Sequence, residues 1–388
     1  MARKTNTEIN GKKYFRVTKT IGRDKEGKPI KKQFYGNSKR DAELKYEEWL
    51  NNYNAGIKEE NKSLSESMYT WLWEVEKMSG NKDSTFSNYE STYRNYIEKS
   101  KIGYRILNEI DRMLIQSYYN DLHKDGKSFY QIESTHKLIS KFFKYCYLEG
   151  YIKRNPCEGI KISVYKERKT TAEDEGKVET FSEDEIKVIL NHVNKNVKLR
   201  VLIKFALFTG LRQGEILSLR VRDIEDMTVS VSKAVKHVKV FTSNDNYEYE
   251  TQTNTPKTDA SVRKVPIPSI LTSDLKELEL LRKKEKLKAG DAYKENNLLF
   301  PSEVGTHISA RNLLRAWKSI FTYINIPYRK FHALRHTYAT LLIKKGTPIL
   351  TVSRLLGHTS IRTTQIYAHV VEETKKSEVE KLNEVLSR

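Results

Sequence analysis

The sequence predicts a multidomain α+β chain: a small sheet backed by one helix, then a helical domain, then a mostly helical domain that carries a small antiparallel sheet. Three observations lead there. The 388 residues exceed a single domain at roughly 100–200 residues each. Period-two alternation is confined to residues 13–35, 228–241 and 261–268, whereas apolar residues elsewhere recur at helical spacing. Two polar, charged stretches, 55–63 and 164–179, interrupt the apolar pattern and read as linkers.

From Lys13 to Ile21 the chain reads KYFRVTKTI, with Phe15, Val17 and Ile21 on one face and Tyr14, Arg16, Thr18 and Thr20 on the other. GRDKEG supplies a turn, after which Ile30 and Phe34 continue the apolar face and Lys31, Gln33 and Tyr35 the polar one. Ser38 and Asp41 have the spacing of a capping box, and Ala42, Tyr46, Trp49 and Tyr53 follow at helical spacing, so one helix should cover the back of the sheet. Residues 1–56 thus form a small domain. Helical periodicity without strands then defines a second domain over 63–163, in which the stripe Tyr89, Tyr93 and Tyr96 reads as core. Lys137, Lys141 and Lys144 make a basic face on the helix of Phe142, Phe143 and Tyr147, and Asn155-Pro156 should break that helix. The third domain, 178–388, opens with a capping box at Ser182 and Glu185, and KLRVLIKFALFTG is an apolar helix ending at Gly210. TVSVSKAVKHVKVF and SVRKVPIP alternate as strands around a long polar excursion, and helices dominate from Ser269 onward.

Composition excludes several classes of protein. With 38 % hydrophobic and 31 % charged residues the chain is too apolar to be disordered and too charged for a membrane protein. No run approaches the ~18 apolar residues of a membrane span, and the opening MARKTNTEIN lacks the apolar segment of a secretory signal, so a cytoplasmic location is expected. Cys146 and Cys157 are too few for a disulfide framework or a thiolate zinc site. Charge points to the partner: 70 Lys and Arg against 50 Asp and Glu leave a net +20, which suits a polyanion. Half of that excess lies in residues 1–40, where thirteen Lys and Arg face Glu8, Asp24 and Glu26. A hairpin presenting Tyr14, Arg16, Thr18, Lys31 and Gln33 suits a DNA groove, and Lys137 and Lys141 suit a DNA backbone.

The residues able to do chemistry lie in four segments. FTGLRQGEILSL places Arg212 just past the helix end at Gly210, with Glu215 one short turn on; TPKTDASVRKVPI carries Lys257; FHALRHTYAT puts His332 and Arg335 on one helix face; LLGHTSIRTTQIYAHV supplies His358 and Tyr367. Singly each has a structural explanation. Together, TGLRQGEI, PKTDASVRKVPI, HALRHTYAT and LLGHTSIRTTQIYAH resemble the catalytic signature of the tyrosine recombinase family, the phage-integrase type, in the family's order over residues 180–370. Less specifically, the helical stretch ending FFKYCYLEGYIKRNP resembles the family's core-site DNA-binding domain. Residues 1–56 resemble the arm-site domain of phage and conjugative-transposon integrases, a three-stranded sheet plus helix.

That resemblance implies a site-specific recombinase of a mobile element, which both integrates and excises as a homotetramer on two duplexes, with arm and core attachment sites as its double-stranded DNA partners. It needs no cofactor and no metal, and accessory DNA-bending or excision factors are expected partners. Tyr367 would attack phosphorus; Arg212 and Arg335 would hold the phosphate oxygens, with Glu215 orienting Arg212. His332 would act as general acid or base, His358 would hydrogen-bond the phosphate and Lys257 would protonate the leaving 5′-oxygen. The polar segment 241–254 ahead of Lys257 is irregular for the family. A tail with Val370, Val371, Val379, Leu382, Val385 and Leu386 would pack within its own chain or dock on a neighbour.

Rival readings keep part of this. A type IB topoisomerase shares the chemistry, and a non-catalytic DNA-binding or architectural protein would share fold and charge. The pair His332 and His336 has zinc-ligand spacing, but Ala333 stands where the metalloprotease motif needs Glu. A transposase using three carboxylates and metal would leave the Arg-His-Arg-His-Tyr order unexplained.

Overall fold

The structure, a computed structural model, describes residues 6–9, 11–54, 62–165, 178–244, 246–254 and 262–367. The chain divides into two compact units, Met1–Glu167 and Arg168–Arg388, and the division falls inside the charged stretch expected as a linker. Lys257 and the tail beyond Tyr367 lie outside the described residues.

The first unit opens with an antiparallel sheet in the order β1 (Thr7–Ile9), β2 (Lys12–Arg23), β3 (Pro29–Gly36). Register pairs Val17 with Phe34 and Thr18 with Gln33, and a bulge between Thr20 and Gly22 twists the hairpin end. Helix α1 (Lys39–Asn54) lies on one face, with the Phe34 ring 5.3 Å from Tyr46 and 5.7 Å from Trp49. The Lys19 and Lys32 ammonium groups cover the outer rings of Tyr46 and Trp49, each 4.9 Å from the centroid. Ser38 accepts from the Asp41 N–H, as expected, but the Asp41 carboxylate reaches back to Asn37 rather than to Ser38.

Four helices follow: α2 (Leu64–Trp71), continued by a π-turn at Leu72–Glu76, α3 (Asp83–Tyr96), α4 (Arg112–Lys124) and α5 (Phe129–Leu148). Ser63 with Glu66 and Ser128 with Gln131 close capping boxes on α2 and α5. Trp71 packs edge-on against Phe142, and of the tyrosine stripe Tyr93 is buried in the core while Tyr89 and Tyr96 are half-buried. The end of α5 corrects the sequence reading. The helix stops at Leu148 because Gly150 takes a left-handed φ of 75°, letting the Tyr151 N–H reach back to the Cys146 carbonyl at 2.8 Å. Pro156 lies in the turns beyond it and breaks nothing.

The second unit packs around α7 (Val197–Thr209), most of whose residues are buried. Around it lie α6 (Glu183–His192), capped by Ser182 and Glu185, and α8 (Gln213–Ser218). The later helices are α9 (Thr272–Ala289), α10 (Ala310–Ile320), α11 (Ala333–Lys344) and α12 (Ile349–Leu356). A three-stranded sheet orders β4 (Ile224–Glu225), β5 (Thr228–Val231) and β8 (Arg263–Pro266), while β6 (Ala234–Phe241) and β7 (Tyr247–Asn254) form a separate hairpin. Two of these strands escape the sequence reading. β4 turns into β5 through Asp226 and Met227, both at positive φ, a two-residue hairpin without the usual Asn-Gly signature. The polar excursion contains β7, whose YEYETQTN alternates tyrosine and threonine with Glu and Gln, strand-forming residues with no apolar contrast to mark them.

Candidate active site

The site is assembled where α7, α8, α11, α12 and β8 end or begin. Helix α7 terminates at Gly210, whose φ of 63° is left-handed. A Cβ there would lie 2.3 Å from the Tyr338 ring, so both conformation and space demand glycine. The chain turns and Arg212 becomes the N-cap of α8, where Glu215 accepts its backbone N–H and its Nη1, both at 2.9 Å. The same carboxylate accepts Arg263 Nη2 at 2.8 Å and Nη1 at 3.2 Å, and Arg263 Nε donates to the Leu355 carbonyl at 2.7 Å. One buried carboxylate therefore fixes two guanidiniums from different elements.

Arg335, in the first turn of α11, is 3 % exposed. Its Nη1 donates to the Gly210 carbonyl at 2.7 Å and its Nη2 to the Leu356 carbonyl at 2.8 Å. Those carbonyls cap the C-terminal ends of α7 and α12, where the helix dipoles favour a cation. Helix α12 ends at Gly357, left-handed at φ 67°, and His358 follows with its Nδ1 2.9 Å from Thr364 Oγ1. A 3-10 turn then delivers Tyr367 into an apolar cluster of Ala339, Ile343, Val352 and Leu356. The ring is 1 % exposed, and its hydroxyl lies 2.7 Å from His336 Nδ1. The His336 and His332 rings meet edge to face at 4.8 Å.

Three guanidiniums around one carboxylate leave the centre short of negative charge, and its neighbours register this. Burial, with His336, Arg335 and Arg212 adding to it, pushes His332 down to about 4. Burial, then Arg335, Arg212 and Arg263, does the same to His358. Both imidazoles are neutral at pH 7. Burial and Arg212 lower Arg335 to about 9, still charged at neutral pH. Tyr367 moves the other way, up to about 12, through burial against the opposing pull of Arg335. A bound dianionic or monoanionic oxyanion would relieve the strain on His332, His358 and Arg335, since it supplies the missing negative charge.

The structure brings Arg212, Glu215, His332, Arg335, His358 and Tyr367 to one place; Lys257, which the resemblance also implies, lies outside the described residues. Two contributors escape the sequence reading. Arg263 stands in SVRKVPIP, where alternation is the only signal, and His336 stands beside Arg335, where its spacing from His332 suggests only half of a zinc pair. Among the described residues no group of three His, Cys, Asp or Glu could hold a metal, and His336 instead faces the phenol. No helix of the described residues is long and apolar enough to cross a membrane.

Of the expected DNA contacts, Arg16, Thr18, Lys31 and Gln33 are exposed and Tyr14 half-buried, on the sheet face that α1 leaves open. On α5, Lys137 is exposed and paired with Glu133 at 2.8 Å. Lys141 is drawn inward, where it pairs with the buried Glu76 and covers the Tyr89 ring at 4.9 Å.

A mostly helical domain with a small sheet holds a phenol beside an anion-hungry arginine centre. Residues 179–374 match the phage integrase family, and the chain belongs to that family. It is a tyrosine site-specific recombinase. A "tyrosine recombinase XerC-like" protein of Caldanaerobacter subterraneus is 44 % identical over 99 % of this chain and 100 % of its own. The integrase of Staphylococcus phage L54a is 26 % identical, over 81 % of this chain and 91 % of its own. In fold, the chain is similar to the Tn1549 transposon integrase solved with a circular-intermediate DNA (TM-score 0.65, 18 % identity, 82 % of this chain and 100 % of that one).

Proposed function

We propose that this recombinase integrates and excises a mobile element through a 3′-phosphotyrosyl intermediate held in the centre just described. The observation that carries the assignment is the Tyr367 phenol beside Arg335, in a centre where Arg212 and Arg263 share the Glu215 carboxylate. Arg212 and Arg335 bind the non-bridging oxygens of the scissile phosphate and stabilise the charge that grows there, with Glu215 holding Arg212 in place. Tyr367 attacks phosphorus, the phosphoester energy is kept in the tyrosyl link, and the released 5′-hydroxyl of another strand reverses the step to complete exchange. His358 donates a hydrogen bond to the phosphate, His332 serves in proton transfer, and Lys257 protonates the departing 5′-oxygen.

Residues 1–56 take arm sites through the open sheet face with Tyr14, Arg16, Thr18, Lys31 and Gln33. Residues 63–163 take core sites, with Lys137 on the backbone and Lys141 able to follow only by leaving Glu76, and residues 178–388 carry the chemistry. Exchange between two duplexes cuts four strands, each needing its own nucleophile, so the working form is a homotetramer. Accessory DNA-bending or excision factors would bias direction, and the cytoplasm is the place of action.

The test uses duplexes from DNA flanking the gene, nicked beside candidate sites so that a short strand diffuses away and traps the covalent product. An adduct on the DNA 3′ side is expected, formed equally in EDTA and absent in Tyr367→Phe, which should still bind. Joining of two different sites by the wild type completes the assignment; relaxation of supercoils with no joining would overturn it.

A further inference from the structure

The proton of the nucleophile needs an acceptor within reach, and the Tyr367 hydroxyl makes its hydrogen bond with His336 rather than with His332, the proton-transfer residue named above. Tyr367 sits in an apolar pocket made by α11 and α12, where burial disfavours phenolate. Its hydroxyl meets His336 Nδ1 at 2.7 Å, within proton-transfer reach. His336 is one residue beyond Arg335 on α11, so the helix that places the phosphate-binding guanidinium also places this imidazole. The charged and titratable groups facing it are Arg335 and His332 on its own helix, Tyr367 on the 3-10 turn, and Glu179 on the segment ahead of α6. Burial and Arg335 outweigh Glu179 and hold the imidazole below its ordinary value, hence neutral at pH 7 and free to accept.

We propose that His336 is the general base that takes the phenol proton of Tyr367 during DNA cleavage. This rests on the nucleophile assignment made above. As the Tyr367 oxygen–phosphorus bond forms and the phosphorus–5′-oxygen bond breaks, the phenol proton passes to His336 Nδ1. The 5′-oxygen receives its own proton from a separate acid of the site. In the ground state the phenol keeps its proton, because its pKa stands far above that of the imidazolium. Transfer becomes favourable only as negative charge moves from the phenol onto the arginine-bound phosphate, so cleavage awaits a correctly seated substrate. Rejoining runs the same path backwards, with the His336 imidazolium returning the proton to the departing tyrosine.

The experiment measures single-turnover adduct formation on the nicked flanking duplex by full-length wild type, His336→Asn, His336→Gln and Tyr367→Phe. The asparagine amide oxygen keeps an acceptor near the Nδ1 position but cannot take a proton, and glutamine provides a second isostere should asparagine disturb folding; DNA binding and thermal unfolding are checked for each. Loss of the base should slow cleavage by roughly 10²–10⁴-fold at pH 7 with binding retained. The wild-type rate should be level above neutrality and fall as pH drops through the His336 pKa, below 6.5. The variants should instead gain rate with pH toward the phenol pKa. A 5′-bridging phosphorothiolate substrate, whose leaving thiolate needs no acid, should leave the defect in place, and imidazole should restore activity to His336→Ala. Cleavage at or above the wild-type rate in both isosteres would mean that His336 merely parks the tyrosine, and rescue by the phosphorothiolate would make it the acid; either overturns the proposal. An adduct formed by Tyr367→Phe would instead overturn the nucleophile assignment itself.

Discussion

Glu215→Ala removes the carboxylate that organises the cationic centre, and the effect divides unequally between its partners. The side chain accepts hydrogen bonds from Arg212 and Arg263, but the two arginines differ in what they do without it. Arg212 keeps 40 % of its side chain exposed, so water rehydrates its guanidinium and that pair contributes about 1 kcal/mol or less. Arg263 is 6 % exposed, and a buried cation stripped of its counter-ion costs about 3–5 kcal/mol. Arg335, already short of anions, gains no substitute. For a unit of this size each kcal/mol moves the midpoint by about 2–4 °C, which gives an expected loss of about 6–20 °C. Calorimetry of the full chain at pH 7 reads it in the transition of the second unit. Acidity gives a second handle. Burial acts to raise the Glu215 carboxyl, but Arg263 and Arg212 outweigh it and hold the group below its ordinary 4.5. The stabilisation is therefore complete above that pH and is lost as pH falls through the lower folded value, where wild type and variant should converge. A midpoint shift under ~2 °C at pH 7, or a difference that stays constant down to the lowest pH at which both fold, would refute the reasoning.

Gly210→Ala forces a left-handed alanine against Tyr338 and should destabilise by about 2–5 kcal/mol, read as a lower denaturant midpoint; an unchanged midpoint would mean that the turn relaxes freely. Arg335→Lys cannot fork onto both the Gly210 and Leu356 carbonyls, so adduct formation should fall by roughly 10²–10³-fold while DNA binding persists. Wild-type rates would remove Arg335 from the phosphate site. Deleting residues 1–56 should weaken arm-site binding and flatten the slope of log affinity against log salt by about 0.9 for each phosphate that the protein no longer neutralises, with cleavage of nicked core sites retained. Loss of all cleavage in that truncation would show the amino-terminal segment to be part of the catalytic assembly.

What the sequence determines by itself is local. Ser182 with Glu185 and Ser63 with Glu66 specify helix starts because their partners are three residues apart, and Gly210 specifies a helix end because a left-handed turn excludes a Cβ. The charge of residues 1–40 is legible by counting, and the set Arg212, His332, Arg335, His358 and Tyr367 through its resemblance to a family signature. Ambiguous local signals mislead: Gly150 outranks Pro156 as the end of α5, and Asp226-Met227 turns a hairpin without a turn motif. The tertiary structure alone decided who touches whom. Arg335 reaches Gly210 across 125 residues, Arg263 reaches Glu215 across 48, and His336 reaches Tyr367 across 31. Such contacts depend on how α7, α11 and α12 pack, and packing is driven by the burial of apolar faces that any similar set of side chains would satisfy. Hence a histidine beside a buried arginine and an arginine in a four-residue strand look ordinary until the fold brings a phenol to one and a carboxylate to the other.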